Sequence, residues 1–240
     1  MSEISLFDKR LLEAAATSDD ELQAFIKRRL AGEPVAKIIG KKGFWKNEFI
    51  VSEDVLDPRP DSETLIEAVL SKFPDKTEPL RILDLGTGSG CLLLSLLGEY
   101  KNDTGVGIDI SEKALEIARQ NAHTCRATFV QRDMRQDLSD LGRFDIMVSN
   151  PPYIPTSEIQ TLERDVKDYD PMLALDGGAD GLDFYRALSK QHLARALFIE
   201  IGKDQEKQII PLFEQEGWKF VQSWRDLGGI VRILEFKSTK

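Results

Sequence analysis

Apolar positions change their period along this chain. Leu65, Ile66, Val69, Leu70 and Phe73 recur with helical spacing behind Asp61-Ser62-Glu63, whereas Ile82, Leu83 and Leu85 belong to a short apolar run. The first pattern predicts an amphipathic helix and the second a buried strand. The alternation continues to the C-terminus and predicts strands over 81–85, 105–109, 128–131, 145–149, 197–201, 220–224 and 231–236. Helices are expected between them over 91–97, 111–121, 157–165, 182–193 and 205–216, the last either kinked by Pro211 or starting later. Strands alternating with amphipathic helices imply a mostly parallel sheet covered on both faces. Only residues 225–230 separate the last two strands, too few for a helical crossover, so these two are expected to be antiparallel.

Upstream of this pattern the chain reads differently. Leu6 to about Leu30 predicts two helices, the second opened by the capping box Ser18-Asp19-Asp20-Glu21 and closed at Gly32. Val35-Ala36-Lys37-Ile38-Ile39 and Phe44 to Val51 are β-prone runs around Gly40-Lys41-Lys42-Gly43, which predicts a hairpin. Pro58-Arg59-Pro60 ends regular pairing. The expected organisation is a helical segment over 1–34, a β-hairpin linker over 35–57 and an α/β domain over 58–240.

Composition narrows the function. The 240 residues are 41% hydrophobic and 30% charged, as in an ordinary globular protein. A net charge of -9, from 41 acidic and 32 basic side chains, repels a phosphate backbone, so no stable nucleic-acid binding is expected. No apolar run approaches the roughly 20 residues of a membrane span. The opening MSEISLFDKR lacks the apolar core of a signal peptide, so a cytoplasmic location, or a processed organellar form, is expected. Cys91 and Cys125 form no framework, and without a CxxC or a His/Cys cluster no metal is expected. Both cysteines are read as packing residues, and His123 and His192 as ordinary helix-surface or helix-end residues.

Seven strands with an antiparallel final hairpin resemble the layout of class I methyltransferases, which have a Rossmann-like sheet. Ile82-Leu83-Asp84-Leu85 runs into Gly86-Thr87-Gly88-Ser89-Gly90 and then into a predicted helix. Such a turn lets a ligand approach bare backbone near unpaired amides. Its spacing is G-x-G-x-G, unlike the G-x-G-x-x-G that seats a dinucleotide, which favours S-adenosyl-L-methionine over NAD. Asp109 ends the next strand about 20 residues later, where a carboxylate can accept the ribose hydroxyls. Met134, after the third strand, can pack on the adenine. These residues, with Asn150, form the expected cofactor site.

The fourth strand, Asp145 to Ser149, delivers Asn150-Pro151-Pro152-Tyr153 to the carboxyl edge of the sheet, where open α/β sheets bind ligands. An amide nitrogen is a poor nucleophile, so positioning must carry much of the catalysis. The Asn150 side-chain carbonyl and the Pro151 main-chain carbonyl are two acceptors that can grip the two hydrogens of a planar NH2 group. The consecutive prolines stiffen the loop, and Tyr153 offers a flat face. Asn150, Pro151, Pro152 and Tyr153 are therefore the candidate catalytic residues.

The chain also resembles the HemK-type N5-glutamine methyltransferases. The resemblance is carried by Gly32-Glu33-Pro34-Val35, Gly43-Phe44-Trp45, Pro58-Arg59-Pro60-Asp61-Ser62-Glu63, Asp84 to Gly90, Ser149 to Ile154, Tyr169-Asp170-Pro171 and Glu200-Ile201-Gly202. It implies methylation of the glutamine in the Gly-Gly-Gln motif of a class I peptide chain release factor, with Asn150 and Tyr153 on the substrate. Departures from the family pattern are a short N-terminal helical region, Asp170 where Glu is commoner, and no Gly-Gly turn before Leu197. An exocyclic adenine amine presents the same planar group, so an adenine-N6 nucleic-acid methyltransferase is the alternative. A non-catalytic cofactor-binding module is a further one.

Overall fold

The computed structural model describes residues 4–123 and 126–240, and Cys125 lies outside them. The N-terminal helices α1 (Leu6–Ala15) and α2 (Asp19–Leu30) form as the pattern predicts. Ser18 Oγ accepts the Glu21 amide, and the Glu21 carboxylate reaches back to the Thr17 amide at 2.7 Å, which satisfies two otherwise orphaned donors.

Between α2 and the main sheet the structure differs from the expectation. Val35–Ile39 is a short helix, α3, and not the first strand of a hairpin. Three contacts outweigh the β-propensity of its branched residues. Pro34 caps its start, Gly40 in the left-handed region (φ +74°) ends it, and the Lys37 ammonium turns inward to Ser52 O, Val55 O and Asp57. The hairpin follows as β1 (Lys41–Phe44) and β2 (Asn47–Ile50), with Trp45 and Lys46 at its turn. Trp45 adopts φ +54°, unusual for a bulky residue. Its amide donates to Glu63 and its indole to Glu99, both at 2.8 Å, which holds the turn.

The remaining elements are α4 (Glu63–Lys72), β3 (Arg81–Leu85), α5 (Cys91–Glu99), β4 (Thr104–Asp109), α6 (Glu112–Asn121), β5 (Ala127–Gln131), β6 (Phe144–Ser149), α7 (Arg164–Tyr169), α8 (Asp183–Leu188), β7 (Ala194–Glu200), α9 (Glu206–Gln215), β8 (Trp218–Arg225) and β9 (Val231–Ser238). Seven strands form one sheet in the order β5-β4-β3-β6-β7-β9-β8. All run parallel except β9, which is antiparallel to both neighbours, so the fold is α/β with the predicted final hairpin.

Two predicted helices are shorter or displaced. Over 157–165 the chain forms a 3-10 stretch, Thr156–Thr161, and only then α7, while the predicted helix over 182–193 stops at Leu188. Helix α9 accommodates Pro211 within its length.

Alternate residues of each central strand enter opposite cores. Leu197 and Ile199 of β7 face one, whereas Ala196 and Phe198 face the other with Leu65, Ile66 and Val69 of α4 and Leu92, Leu93 and Leu96 of α5. Burial on both faces explains why these strands read as continuous apolar runs.

Candidate active site

Strand register builds the site. Ile108, Leu85, Ser149 and Ile199 are in-register partners across β4, β3, β6 and β7. The residues that follow them, Asp109, Gly86, Asn150 and Glu200, therefore leave the sheet as one row along its carboxyl edge. The connection from β5 back to β6 crosses the sheet, so the chain departs to opposite sides between β3 and β6. This is the switch point at which open sheets leave a crevice.

The crevice is a cavity of about 570 Å³. Among the sequence-predicted residues, Gly86, Thr87, Gly88, Ser89, Asp109, Met134, Asn150 and Pro152 line it. Gly90 does not. It begins α5 with φ +80°, and a Cβ there would crowd Leu94, so its role is to turn the chain into the helix. Pro151 is buried behind the wall, and Tyr153 is largely buried beside Glu200 and Arg232, where desolvation pushes its phenol up to about 12.

The glycine loop is held from three sides. Gly86 and Thr87 amides donate to Ile108 O, both at 2.9 Å, and the Gly88 amide donates to Asp109 Oδ2 at 2.9 Å. Asp109 Oδ1 accepts the Ser111 amide at 2.9 Å, so each oxygen keeps one backbone bond and retains capacity for a further donor. Burial raises the Asp109 carboxyl above its ordinary range, opposed by those same amides. Beneath the loop Asp84 accepts the Thr87 hydroxyl at 2.7 Å and is wholly buried, which pushes its carboxyl up to about 7. From the far side the Asn121 amide group donates to Ser89 O and Ile50 O and accepts the Ile50 amide, tying loop to hairpin.

These features fit S-adenosyl-L-methionine. Gly88 sits at φ +54°, and a Cβ placed on it would meet no protein atom within 4 Å, which leaves bare backbone open to a ligand. Ile110 and Met134 add apolar wall beside Asp109, as a purine and its ribose require.

Sequence reasoning assigned no role to Ser62 and Glu200. Ser62, at the start of α4, donates its hydroxyl to Glu200 Oε2 at 2.5 Å, and Asn150 Nδ2 donates to Ser62 Oγ at 3.2 Å. Both Ser62 and Glu200 are buried. A glutamate ending the apolar run Leu197-Phe198-Ile199 was the available signal. The opposite wall is Arg59, bound to Asp170, which in turn faces Lys37 at 3.5 Å.

The expectation for Cys125 falls outside the described residues, and His192 is not on a helix: α8 has ended at Leu188, and the imidazole packs in the segment before β7. Cys91 is half-buried at the start of α5 and lines the cavity, and desolvation pushes its thiol up to about 12, which disfavours nucleophilic attack. His192 stacks on Trp218 and His123 is exposed. Among the described residues there is no cluster of metal-ligating side chains and no helix long and apolar enough to cross a membrane.

Residues 82–169 match the family model of a methyltransferase domain. A solved magnesium protoporphyrin IX methyltransferase from Synechocystis shares the fold, with a TM-score of 0.52 and 19% identity over 99% of this chain and 100% of that one. Sequence relatives are much nearer. A release factor glutamine methyltransferase of Caulobacter vibrioides is 42% identical over 92% of this chain and 79% of its own. One of Rhodospirillum rubrum is 44% identical over 89% of this chain and 67% of its own, and at this similarity the chain belongs to the release factor glutamine methyltransferase family.

Proposed function

We propose that this chain transfers a methyl group from S-adenosyl-L-methionine to the side-chain nitrogen of the glutamine in the Gly-Gly-Gln motif of a class I peptide chain release factor. The observation that carries this reading is the placement of Asn150 and the glycine loop on one cavity, side by side across the β3–β6 register. S-adenosyl-L-methionine supplies the methyl group on its sulfonium; Gly86, Thr87, Gly88, Ser89, Asp109 and Met134 would hold it. Asn150 Oδ1 and the Pro151 carbonyl would accept the two amide hydrogens of the glutamine. Pro152 keeps that loop stiff and Tyr153 supports it from behind. The reading places the enzyme in the cytoplasm or in an organelle.

The test is mass spectrometry of a release factor incubated with the protein and S-adenosyl-L-methionine, beside adenine-containing DNA and RNA. Glutamine should gain the methyl group. Asn150→Ala should lower kcat by about 100-fold, because the lost contact forms fully only as the nitrogen reacts, while S-adenosylhomocysteine binding suffers less. Methylation of nucleic acid alone would replace the glutamine assignment with the adenine-N6 reading. Cofactor binding without any methylated acceptor would leave only the non-catalytic module.

A further inference from the structure

An asparagine that must present its oxygen to a substrate has a problem of its own. Its amide can rotate by half a turn and present NH2 instead, and the two orientations fill nearly the same space. Something must break that symmetry. Three groups form a hydrogen-bonded chain: Asn150 Nδ2 donates to Ser62 Oγ at 3.2 Å and Ser62 Oγ to Glu200 Oε2 at 2.5 Å. Ser62 also lines the cavity, and Asn150 is within reach of the Glu200 carboxylate itself, which strengthens the inward pull on its nitrogen.

The direction of this chain follows from its proton count. A carboxylate only accepts, and a hydroxyl has one proton, so Ser62 must give that proton to Glu200. Ser62 can then only accept from Asn150. The Asn150 nitrogen is thereby drawn inward, and Oδ1, which bonds to no described residue, is left for the cavity that Asn150 lines. The anchors are rigid. Glu200 ends β7, an interior strand of the sheet, and is 2% exposed, and Ser62 is 3% exposed at the start of α4, whose apolar face packs on β7 and β9. The Tyr185 hydroxyl fixes the Glu200 backbone by donating to its carbonyl at 2.9 Å.

We propose that Ser62 and Glu200 are positioning residues that lock the Asn150 amide with its oxygen toward the acceptor, and that their proton order admits Asn but not Asp at position 150. An aspartate there would bring a second carboxylate to a hydroxyl that has one proton, and one of the two would lose its partner. Replacing Glu200 by glutamine cures this conflict, because glutamine can donate to Ser62, which then donates to the carboxylate introduced by Asn150→Asp. The order of protons is reversed but complete, and an oxygen again faces the cavity. This inference rests on the proposed reading that Asn150 accepts from the substrate's amino group, and on glutamine as the acceptor only for the choice of assay.

A double-mutant cycle tests it, run in alkaline buffer that keeps Glu200 ionised. Asn150→Asp should lose at least about tenfold in kcat, and adding Glu200→Gln should restore at least about tenfold over Asn150→Asp alone. Ser62→Ala should lower kcat by about tenfold with S-adenosylhomocysteine affinity within about twofold of wild type, and Ser62→Thr, which keeps the hydroxyl, should recover most of that loss. A purely structural role would give independent, additive effects of the two substitutions and no recovery in Ser62→Thr. Additive losses in the cycle, or wild-type kcat in Ser62→Ala, would overturn the proposal. If Ser62→Ala fails to fold by its melting curve, the cycle alone decides. Should the wild-type chain methylate adenine and not glutamine, the functional reading falls but the same cycle is read on adenine, whose amino group makes the same demand of Asn150.

Discussion

Asp109 serves two functions with one carboxylate. It fixes the glycine loop through Gly88 and caps the turn into α6 through Ser111, and its remaining lone pairs face the cavity. Asp109→Ala should therefore weaken S-adenosylhomocysteine binding by about 1–3 kcal/mol in calorimetry, the range for lost hydrogen bonds to a charged group. Asp109→Asn, which keeps an acceptor for one amide, should lose less. Equal affinity in all three proteins would remove Asp109 from the site. At this scale the sequence was legible where a residue is defined by its chain neighbours. Gly86, Gly88 and Asp109 were singled out from spacing along two strands, because a ligand needs bare backbone and a nearby carboxylate, and all three line the one cavity. Ser62 and Glu200 could not be paired, since 138 residues separate them.

Among the elements, α6 shows how a helix end can organise a loop it does not join. Asn121 closes α6 and spends three hydrogen bonds on Ser89 O and both backbone groups of Ile50. Asn121→Ala strands partly buried backbone groups, so denaturant unfolding should show a loss of about 1–3 kcal/mol. S-adenosylhomocysteine affinity should fall with it because the cradle loses its tether; an unchanged dissociation constant would make Asn121 a stability element only. The long amphipathic helices and the buried strands were readable because their periods are local. Helix α3 was not, because what overrides its β-propensity is Lys37 meeting Asp57, Ser52 and Val55, contacts invisible to a local window.

For the whole molecule the buried acids set a pH dependence. Burial raises Asp84 from 3.8 and Glu200 from 4.5, each to about 7, and Glu200 is also faced by Arg232, which lowers it, and by Asp61, which raises it. A folded state that holds its proton more tightly than the unfolded chain is stabilised below the unfolded pKa and loses that advantage as pH rises through the folded one. These two groups should therefore lower the melting temperature between about pH 4 and pH 7. Asp84→Asn removes one of them, so its melting curve should fall less steeply across that window. Parallel profiles for the two proteins would show that Asp84 keeps an ordinary pKa.

The sequence by itself determined the seven strands of the main sheet, their alternation with helices, the antiparallel final hairpin and the position of the two motifs, Gly86 to Gly90 and Asn150 to Tyr153. Each is built from short stretches of consecutive residues, where steric limits on glycine and proline and the period of apolar positions act directly. Only the tertiary structure decided which residues stand beside those motifs. The order β4-β3-β6-β7 aligns Asp109, Gly86, Asn150 and Glu200 on one edge, and α4 carries Ser62 onto that row. Such neighbours are set by strand register and helix packing, which depend on burying the whole apolar surface at once and leave no mark at any single position.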